Sequence, residues 1–595
     1  MLRNGALALL VGIGLLVFAT QTRWQTIVDE PLIIIDGKGY YSYLPAAFIF
    51  HDFSYGFIKT TDSLHYPKGE WVHFFHVTEK GNVNKYFVGT AVLMAPFFGA
   101  AMVVASFGGD VMDGFSPPFQ IAIGVAALFY LSLGLLFLQL FLQLLGYKRK
   151  AIVPALLMLV FGTNLLFYAV YEPSMSHVYS FFAVSALLYL SARAIICQHE
   201  RFWILAAFAL GLVALIRPTN GLIVLALPVV ASGIFPIVTS LERLVQKPVL
   251  FFLSIIVFVG VVALQPILYL IQVGAPMFWS YQGEGFNFLS PEFFNVLFSY
   301  RRGLFVYAPI LLLAVIGIFA MRKRNATQAN ALLFFLLAIT WIISSWWMWY
   351  YGGAFGHRAF IEYIPFFAIG LVHLIQFGWG IFRPWFVIIL GLMCIGIQGV
   401  QTYQYVHHIL PFDGIDRTKY RSLFLRTGED LKWYYPGNSG QDSYAGMDST
   451  VLIHDMEASH DWGGEQQISD SVAYSGTKSS CLKQDNFGIT LRIKAKDIPV
   501  SANVVRISGM VNSSSWQSDV SFVCTIQDST EAAYFWRKKP LRPQFSFGAE
   551  WNKCSAVFFC GAARHASDTF VLYIMKEDQH GVCLDDMEIT FIHAR

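Results

Sequence analysis

Residues 118–146 read PFQIAIGVAALFYLSLGLLFLQLFLQLLG, a run that decides the fold class because it is long enough to cross a membrane and carries no charged side chain. The rest of the 595-residue chain has the same character: 56% of the residues are apolar and only 13% are charged. Such a composition predicts a polytopic α-helical membrane protein. The formal net charge of +3 is small, and no feature indicates nucleic acid as a partner.

Further apolar runs are long enough to cross a hydrocarbon core of about 30 Å. The region 202–236 is too long for one helix and is broken at Arg217-Pro218-Thr219-Asn220-Gly221, so we expect two spans there. With the amino terminus in the cytoplasm, the sequence predicts about 11 spans, and up to 13 remain possible. The other runs are 5–21, 151–170, 178–197, 248–272, 303–321, 329–347, 358–378 and 384–404.

The apolar run 86–106 is ambiguous. Leaving it out of the count places Lys148-Arg149-Lys150 and Arg322-Lys323-Arg324 on the cytoplasmic side, as the positive-inside rule requires, whereas counting it inverts part of that pattern. We therefore predict a helix that lies on or re-enters the outer face, interrupted by Pro96, within a first external loop at 22–117. The amino-terminal run is also compatible with a cleavable signal peptide, but no small-residue cleavage site stands out, which favours an uncleaved span.

The chain changes character after about residue 405. We divide it into a membrane domain at 1–405, a linker at 406–449 and a carboxyl-terminal domain at 450–595. Short runs in the last domain alternate between apolar and polar residues, a pattern typical of half-buried strands, and they predict an all-β sandwich outside the cytoplasm. The clearest of these runs are 488–493, 504–509 and 569–574.

The predicted β-sandwich resembles carbohydrate-binding jelly rolls in two short motifs. Its ending at 583–589, CLDDMEI, is similar to the last strand of such domains, and SGTKS at 475–479 fits the same resemblance. The resemblance implies a jelly-roll fold that binds a glycan. Five cysteines lie in this domain, which permits disulfides outside the cytoplasm and leaves one cysteine over. They are Cys481, Cys524, Cys554, Cys560 and Cys583.

Several arginines do not follow the positive-inside rule. In the predicted topology Arg217, the pair Arg301-Arg302 and Arg358 lie at the outer ends of spans. Any one of them can snorkel into headgroups or pair with a loop carboxylate. Together they also suit a phosphate, because the guanidinium is a planar and permanently charged donor fork. Lys85, at the start of the ambiguous helix, can join a cluster that holds the phosphate of a lipid carrier.

Acidic side chains are predicted to lie at the outer face of the membrane, as these arginines are. Asp36 follows the first span in the stretch DGKGYY, and a carboxylate at the border of a low-dielectric cavity can be tuned as a general base. The alternative is that Asp36 caps a helix or a turn. Glu172 and His177 flank a turn on this side and are candidate substrate contacts. The histidines of the first loop, such as His73, lack regular ligand spacing, so no metal site is predicted.

Aromatic residues are dense where a late span meets the predicted outer interface, in the stretch WWMWYY at 346–351. An aromatic belt at the membrane surface explains such a cluster. Alternatively, some of these rings stack on a sugar or a prenyl group next to Arg358. Trp349 and Tyr350, together with Tyr40 and His357, are therefore further candidate substrate contacts.

The order of these parts resembles the GT-C glycosyltransferases, the class that includes protein O-mannosyltransferases and lipid A aminoarabinose transferases. The resemblance covers about residues 1–405, and the matching segments are similar to those of uncharacterised bacterial members. The HPP segment of protein O-mannosyltransferases is missing, so their acceptor is not carried over. The matching segments are DGKGYY at 36–41, KYFVGT at 85–90 with APF at 95–97, EP at 172–173 with His177, and WYYGGAFGHR at 349–358.

This resemblance implies an inverting, single-displacement transfer of a sugar from a polyprenyl-phosphate donor to a glycan, lipid or protein acceptor, with Asp36 as the catalytic base. The leaving phosphate develops negative charge, which Lys85, Arg217, Arg301, Arg302 or Arg358 can stabilise. The site and the β domain would face the periplasm of a bacterial inner membrane. Cofactors are not required by the resemblance, although a divalent metal is compatible with it.

Two alternatives stay open. A transporter or flippase of lipid-linked sugars would also use outer-face arginines, but it has no need of a base and usually shows related halves. A non-catalytic anchor for the glycan-binding domain would need only one span. Separation of Asp36 from the arginines by more than a substrate length would favour the transporter.

Overall fold

The structure is a computed structural model that describes residues 2–28, 30–66, 74–78, 81–282, 284–428, 431, 449–457, 462–482, 486–498, 502, 504–513, 520–541, 551–560 and 563–592. The loop residue His73 and residues 432–448 of the predicted linker lie outside the described residues. The chain divides into two compact units, Met1–Thr402 and Tyr403–Arg595, which are described separately.

The first unit is helical, apart from one short antiparallel hairpin formed by β1 (Phe75–Thr78) and β2 (Gly81–Asn84). Its helices are α1 (Leu2–Gln21), α2 (Ile35–Tyr41), α3 (Tyr43–Phe48), α4 (Ile58–His65), α5 (Gly89–Gly108), α6 (Pro117–Leu144), α7 (Arg149–Phe161), α8 (Leu165–Val170), α9 (Ser176–Ile195), α10 (Phe202–Ile216), α11 (Leu227–Ala231), α12 (Phe235–Val245), α13 (Pro248–Val262), α14 (Leu264–Val273), α15 (Phe293–Phe298), α16 (Leu304–Tyr307), α17 (Ile310–Met321), α18 (Ala326–Ser344), α19 (Ile364–Phe377) and α20 (Pro384–Val406). Shorter 3₁₀ segments cover Arg23–Thr26, Pro218–Ala226 and Arg358–Tyr363.

The centre of this unit is formed by α6, α9 and α10, which pack side by side, with α1 and α5 against α6 and α13 against α10. On the other side, α17 packs closely along α19, where Gly317 and Gly370 let the two backbones approach. A Cβ added at Gly317 would lie 1.9 Å from the Gly370 carbonyl oxygen, so only glycine fits this crossing.

Seven helical segments of the described residues are long and apolar enough to cross a membrane, or eight if the bent pair Pro218–Ala231 and Phe235–Val245 is one span. The structure therefore does not confirm a count of about 11 spans. Hydropathy overestimated the helix lengths because apolar side chains continue through backbone breaks. The breaks include Gly162 after α7, Pro218 after α10 and Pro309 before α17. The seven segments are Gly89–Gly108, Pro117–Leu144, Ser176–Ile195, Pro248–Val273, Ala326–Ser344, Arg358–Phe377 and Pro384–Val406.

The ambiguous run at 86–106 forms α5, a helix of 20 residues. The predicted interruption at Pro96 is wrong: Pro96 lies inside a helix that continues to Gly108. The helix satisfies the same length and hydropathy criteria as the other candidate spans, and it packs against α6 and α10. The prediction that it lies on the outer surface therefore has no support from its length.

The second unit contains a short helix, α21 (Arg417–Leu423), and two antiparallel sheets. One sheet has the order β10-β7-β12-β5-β4, with β3 also paired to β12, and the other has the order β6-β11-β8-β9. The strands are β3 (Ser449–His454), β4 (Ile468–Ser469), β5 (Ser479–Leu482), β6 (Phe487–Lys494), β7 (Val504–Ser513), β8 (Val520–Gln527), β9 (Ala533–Pro540), β10 (Asn552–Phe559), β11 (Thr569–Lys576) and β12 (Val582–Ile592).

Both sheets contribute to one apolar core, in which Ile507 and Ile589 of the first sheet and Phe522 and Leu572 of the second are fully buried. Two sheets that share a core form a β-sandwich. The strand predictions at 488–493, 504–509, 569–574 and 583–589 are confirmed by β6, β7, β11 and β12. The jelly-roll connectivity stays a prediction.

A disulfide joins Cys481 of β5 to Cys583 of β12, two residues that face each other across the strand pair. Cys524 and Cys554 are buried thiols of the core. One disulfide is consistent with an oxidising compartment, where such bonds persist.

Candidate active site

The stretch DGKGYY forms α2, and contacts in the structure account for its two glycines. A Cβ on Gly37 would lie 2.0 Å from the Ser174 Oγ, and a Cβ on Gly39 would lie 2.2 Å from the Tyr86 ring. Glycine at both positions therefore lets α2 pack directly on the turn before α9 and on the segment before α5. Between them, Lys38 is buried in an ion pair with Asp62.

The backbone just before Asp36 is in an unusual conformation. Ile35 has a φ of +50°, which is strained for a β-branched residue and persists only where the surroundings enforce it. The enforcing contacts include a buried turn in which Gln120 Oε1 accepts hydrogen bonds from the N–H groups of Leu32 and Ile33, each at 2.9 Å. These contacts therefore fix the backbone that leads into Asp36 at the start of α2.

The Asp36 carboxylate is held by two different donors. Its Oδ2 lies 2.8 Å from the Arg358 Nη2, and its Oδ1 accepts a hydrogen bond of 2.6 Å from the Tyr86 hydroxyl. The side chain keeps 22% of its surface exposed, against 11% for Arg358. Burial raises the pKa of Asp36, but the Arg358 guanidinium, the Tyr86 hydroxyl and the Lys85 charge outweigh it and hold the pKa below its ordinary value.

Arg358 reaches Asp36 from the start of the candidate span Arg358–Phe377. The loop before it bends sharply, with positive φ angles at Tyr351, Gly352 and Gly356. Asn164, at the start of α8, anchors the loop by donating a hydrogen bond of 3.0 Å to the Phe355 carbonyl. These bends bring a distant part of the chain to the first loop, which sequence spacing alone does not reveal.

Lys85 lies beside the same carboxylate but is paired with another acid. Its Nζ forms an ion pair with Glu284, and it stands 5.2 Å from the centre of the Tyr281 ring. The Trp347 indole N–H donates to the other Glu284 oxygen at 3.2 Å. Glu284 therefore links Lys85 to Trp347.

Arg217 is held by a buried polar network. Its Nη1 lies 3.1 Å from Glu362 Oε1, and the same carboxylate contacts His177 Nδ1 at 3.4 Å and the Asn220 amide. The Tyr363 hydroxyl donates to Asn220 Oδ1 at 2.8 Å, which fixes the amide. Arg217 also interacts with Tyr40 and Tyr281, the rings that pack on Tyr86. Tyr40 and His177 both interact with this network, and their role as substrate contacts stays a prediction.

Glu172 is a second buried acid beside the Asp36–Arg358 pair. Burial raises the pKa of Glu172 to about 7, the Arg358 guanidinium opposes that rise, and the Asp36 carboxylate adds to it. Arg302 is fully buried and acts on both Glu172 and His357. Burial lowers the pKa of His357 to about 3, so this ring is neutral at neutral pH.

Arg301 has a different environment. Its guanidinium lies 3.4 Å from the centre of the Tyr350 ring, and Trp349 packs against Tyr350 at 5.4 Å. This stack joins the predicted aromatic contacts Trp349 and Tyr350 to Arg301. Lys85 and Arg358 lie next to Asp36, and Arg217 lies next to Arg358, whereas Arg301 packs on Tyr350.

Four residues of the site are not among those predicted from the sequence. Tyr86 lies in KYFVGT without a signal of its own, Tyr281 and Glu284 lie in a polar loop without a motif, and Glu362 lies in an apolar run. Glu362 follows Arg358 by four residues, and a lone acid within a candidate span is a functional signal in itself. That signal was available in the sequence.

The arrangement has the parts that a group transfer from a phosphate needs. A partly exposed carboxylate can accept a proton, and the two cations beside it, with Arg217 next to Arg358, can bind and stabilise an anionic leaving group. Among the described residues, no group of His, Cys, Asp or Glu side chains has the geometry to hold a metal ion.

No protein-family model matches the chain, and no curated protein matches it. Among solved structures, the arabinosyltransferase EmbB from Mycobacterium smegmatis matches 84% of this chain and 59% of its own, at 11% identity and a TM-score of 0.36. The CBM22-1 xylan-binding domain of Xyn10C from Paenibacillus barcinonensis matches over its whole length and 25% of this chain, at 19% identity and a TM-score of 0.18. The CBM22-1-GH10 modules of Xyn10B from Clostridium thermocellum match 24% of each chain, at 13% identity and a TM-score of 0.15. At these TM-scores the similarities assign no function to this chain.

Proposed function

We propose that this protein is a membrane glycosyltransferase that moves a sugar from a polyprenyl-phosphate donor to a hydroxyl acceptor, with Asp36 as the general base. The observation that carries the proposal is the contact between Asp36 and Arg358, because a carboxylate can accept a proton and a guanidinium beside it is suited to a phosphate. A transporter would also need the cations, but it does not need a carboxylate that takes a proton from an acceptor hydroxyl.

The proposed reaction is a single displacement. The acceptor hydroxyl oxygen attacks the anomeric carbon, the bond from that carbon to the phosphate oxygen breaks, and polyprenyl phosphate leaves with the bonding electrons. Asp36 takes the hydroxyl proton as the new carbon–oxygen bond forms. Attack from the face opposite the phosphate inverts the anomeric configuration.

The ion pair with Arg358 gives Asp36 a defined resting state. Because the lowered pKa keeps the carboxylate ionised at neutral pH, it is ready to accept a proton. A donor phosphate that binds Arg358 competes with Asp36 for the guanidinium, which weakens the pair and makes the carboxylate more basic. Donor binding thereby prepares the base for the acceptor.

The remaining cations fit the developing charge. Arg217 lies next to Arg358 and Lys85 lies next to Asp36, and their counter-ions Glu362 and Glu284 hold them before the donor arrives. Fixed cations stabilise the leaving phosphate in the transition state without reorganisation. We propose that Arg301, stacked on Tyr350, contacts a more distant part of the donor.

The β-sandwich is proposed to bind the acceptor glycan. Phe487 and Trp536 are exposed on the sheet β6-β11-β8-β9, and both approach Tyr573. Exposed aromatic rings on one sheet face can stack on sugar rings. In the proposed topology, the site and this domain both face the periplasm of a bacterial inner membrane.

An assay in proteoliposomes tests transfer against transport. The full-length protein is reconstituted with a polyprenyl-phosphate sugar labelled in the sugar and with soluble acceptor glycans. A transferase releases polyprenyl phosphate and makes a labelled acceptor in equal amounts. Movement of intact donor across the bilayer, without release of polyprenyl phosphate, would instead support the transporter.

A further inference from the structure

A charged cavity lies at the far end of the segment that begins with Arg358. Arg358–Phe377 has 20 residues, so at about 1.5 Å per residue its two ends are roughly 30 Å apart, the thickness of a hydrocarbon core. The cavity has a volume of about 330 Å³. Its wall is formed by the ends of α17 and α19 and by the turn that leads into α20.

Basic side chains from three parts of the chain line this cavity. Lys323 and Arg324 follow α17, His373 belongs to α19, and Arg383 precedes α20, whereas no acidic residue is among the lining residues. Arg324 lies 3.7 Å from the centre of the Phe377 ring, a cation–π contact that holds its guanidinium at the cavity wall. A cavity with several cations and no carboxylate has an uncompensated positive potential.

Two further features supply hydrogen-bond donors. His373 Nδ1 lies 3.2 Å from the Tyr147 hydroxyl, and when that hydroxyl donates, the ring proton is on Nε2. The amino terminus of α20, a helix of 23 residues, begins at Pro384 in the cavity wall. The free N–H groups of a first helical turn favour an anion. They add to a site that Lys323, Arg324 and Arg383 already define.

The surroundings of the cavity are those of a membrane interface. Trp379 lines it, and Ile381 of the same turn and Trp385 at the start of α20 are exposed, Ile381 by 77% and Trp385 by 61%. Exposed tryptophans next to basic residues are typical of the headgroup region. A ligand here therefore has its charged group in the cavity and can have apolar chains beside this turn.

We propose that this cavity binds a phosphate group and that the headgroup of an anionic phospholipid supplies it, at the end of the bundle opposite Asp36. A small soluble phosphate compound would present the same charged oxygens, so the test has to separate the two sources. The site is independent of the proposed transfer reaction, because none of its residues contacts Asp36, Arg358 or their partners in the described structure.

The test measures binding to the full-length protein in detergent by thermal shift and by native mass spectrometry. The probes are dihexanoyl phosphatidylglycerol, dihexanoyl phosphatidylcholine and inorganic phosphate. The variants are Arg324→Gln and Arg383→Gln, examined separately so that one of them can be read if the other folds poorly. Arg322→Gln is the matched control, because it removes the same charge next to the cavity but does not line it.

Saturable binding of phosphatidylglycerol, about tenfold weaker in either cavity variant and within about twofold of the parent in Arg322→Gln, is the expected result. Inorganic phosphate that binds equally well with the same residue dependence would support the phosphate site and reject the lipid source. Binding that is equally weakened by Arg322→Gln, equal for phosphatidylcholine, or absent for all three probes would overturn the proposal.

Discussion

Asp36 Oδ2 and Arg358 Nη2 lie 2.8 Å apart, although the first residue follows the amino-terminal helix and the second begins a candidate span near the other end of the membrane unit. A carboxylate and a guanidinium in contact neutralise each other in the resting protein. A donor phosphate can replace the carboxylate as the partner of Arg358. In the proposed function, this change of partner at Arg358 frees Asp36 to accept a proton.

The Tyr86→Phe variant should shift the pH dependence of transfer. The Tyr86 hydroxyl donates to Asp36 Oδ1 and lowers the pKa of this carboxyl, so its removal raises that pKa. A general base works only when it is deprotonated, and the acidic fall in kcat/KM should therefore begin at a higher pH than in the parent. Tyr281→Phe is the matched control, since Tyr281 packs on Tyr86 without a hydrogen bond to Asp36. An unchanged acidic limb in Tyr86→Phe would contradict the assignment.

Replacement of Arg358 by Lys should weaken donor binding although the charge is kept. A guanidinium can donate two parallel hydrogen bonds to a phosphate. The ammonium of Lys is a point charge on a shorter side chain, so it does not reproduce this bidentate contact. We expect the dissociation constant for the donor to rise about tenfold, the effect of losing one charge-assisted hydrogen bond. Fluorescence or filter binding with a labelled polyprenyl-phosphate sugar measures this. Donor affinity equal to that of the parent would remove Arg358 from the phosphate site.

The Gly37→Ala variant should be destabilised and should lose activity. The added Cβ would lie 2.0 Å from the Ser174 Oγ and 2.6 Å from the Ser174 Cβ, so α2 has to move away from its support. Overpacking of this kind costs about 1–3 kcal/mol. Thermal unfolding gives the stability, and the double variant Gly37→Ala with Ser174→Gly should recover part of it. No recovery in the double variant would show that this contact is not the cause.

Loss of the disulfide should destabilise the β-sandwich. Cys481 and Cys583 are separated by 102 residues, and opening a closed loop of that length costs about 2–4 kcal/mol of stability. The full-length variant Cys481→Ser with Cys583→Ser should unfold its β domain at a lower denaturant concentration than the parent. Cys554→Ser is the comparison, because this buried thiol forms no disulfide. Equal midpoints for the parent and the disulfide variant would contradict the expectation.

The positions of Asp36 and Arg358 could be predicted because charged residues stand out beside apolar runs. Their partners were harder to predict: Tyr86 and Glu284 meet the site only through the bends of loops, and no spacing in the sequence encodes those bends. Arg301 shows the converse. In the sequence, Arg301 looks similar to Arg358, because both are arginines at the predicted outer end of a span. Its stacking on the Tyr350 ring is a tertiary contact, which the distribution of charges along the sequence does not show.

In the fold, too, some features could be predicted from the sequence and others could not. The alternating runs of the last domain gave correct strands because burial on one sheet face imposes a period of two residues. The predicted count of about 11 spans is not confirmed, because hydropathy records the side chains and not the continuity of the backbone. Pro218 breaks the helix after Arg217, whereas Pro96 lies within an unbroken one. The difference depends on packing that a hydropathy profile does not include.

The central claim is that Asp36 accepts the proton of the acceptor hydroxyl, and single-turnover transfer by Asp36→Asn tests it most directly. The variant and the parent are loaded with a labelled polyprenyl-phosphate sugar, mixed with acceptor, and stopped at short times. Asp52→Asn is the control, as an acid of the same loop whose carboxylate accepts hydrogen bonds from Ser54 and Gly56 of its own turn. We predict that Asp36→Asn binds the donor but transfers the sugar at least about 100-fold more slowly, the usual loss of a general base, while Asp52→Asn matches the parent. Transfer by Asp36→Asn at the rate of the parent would contradict the claim.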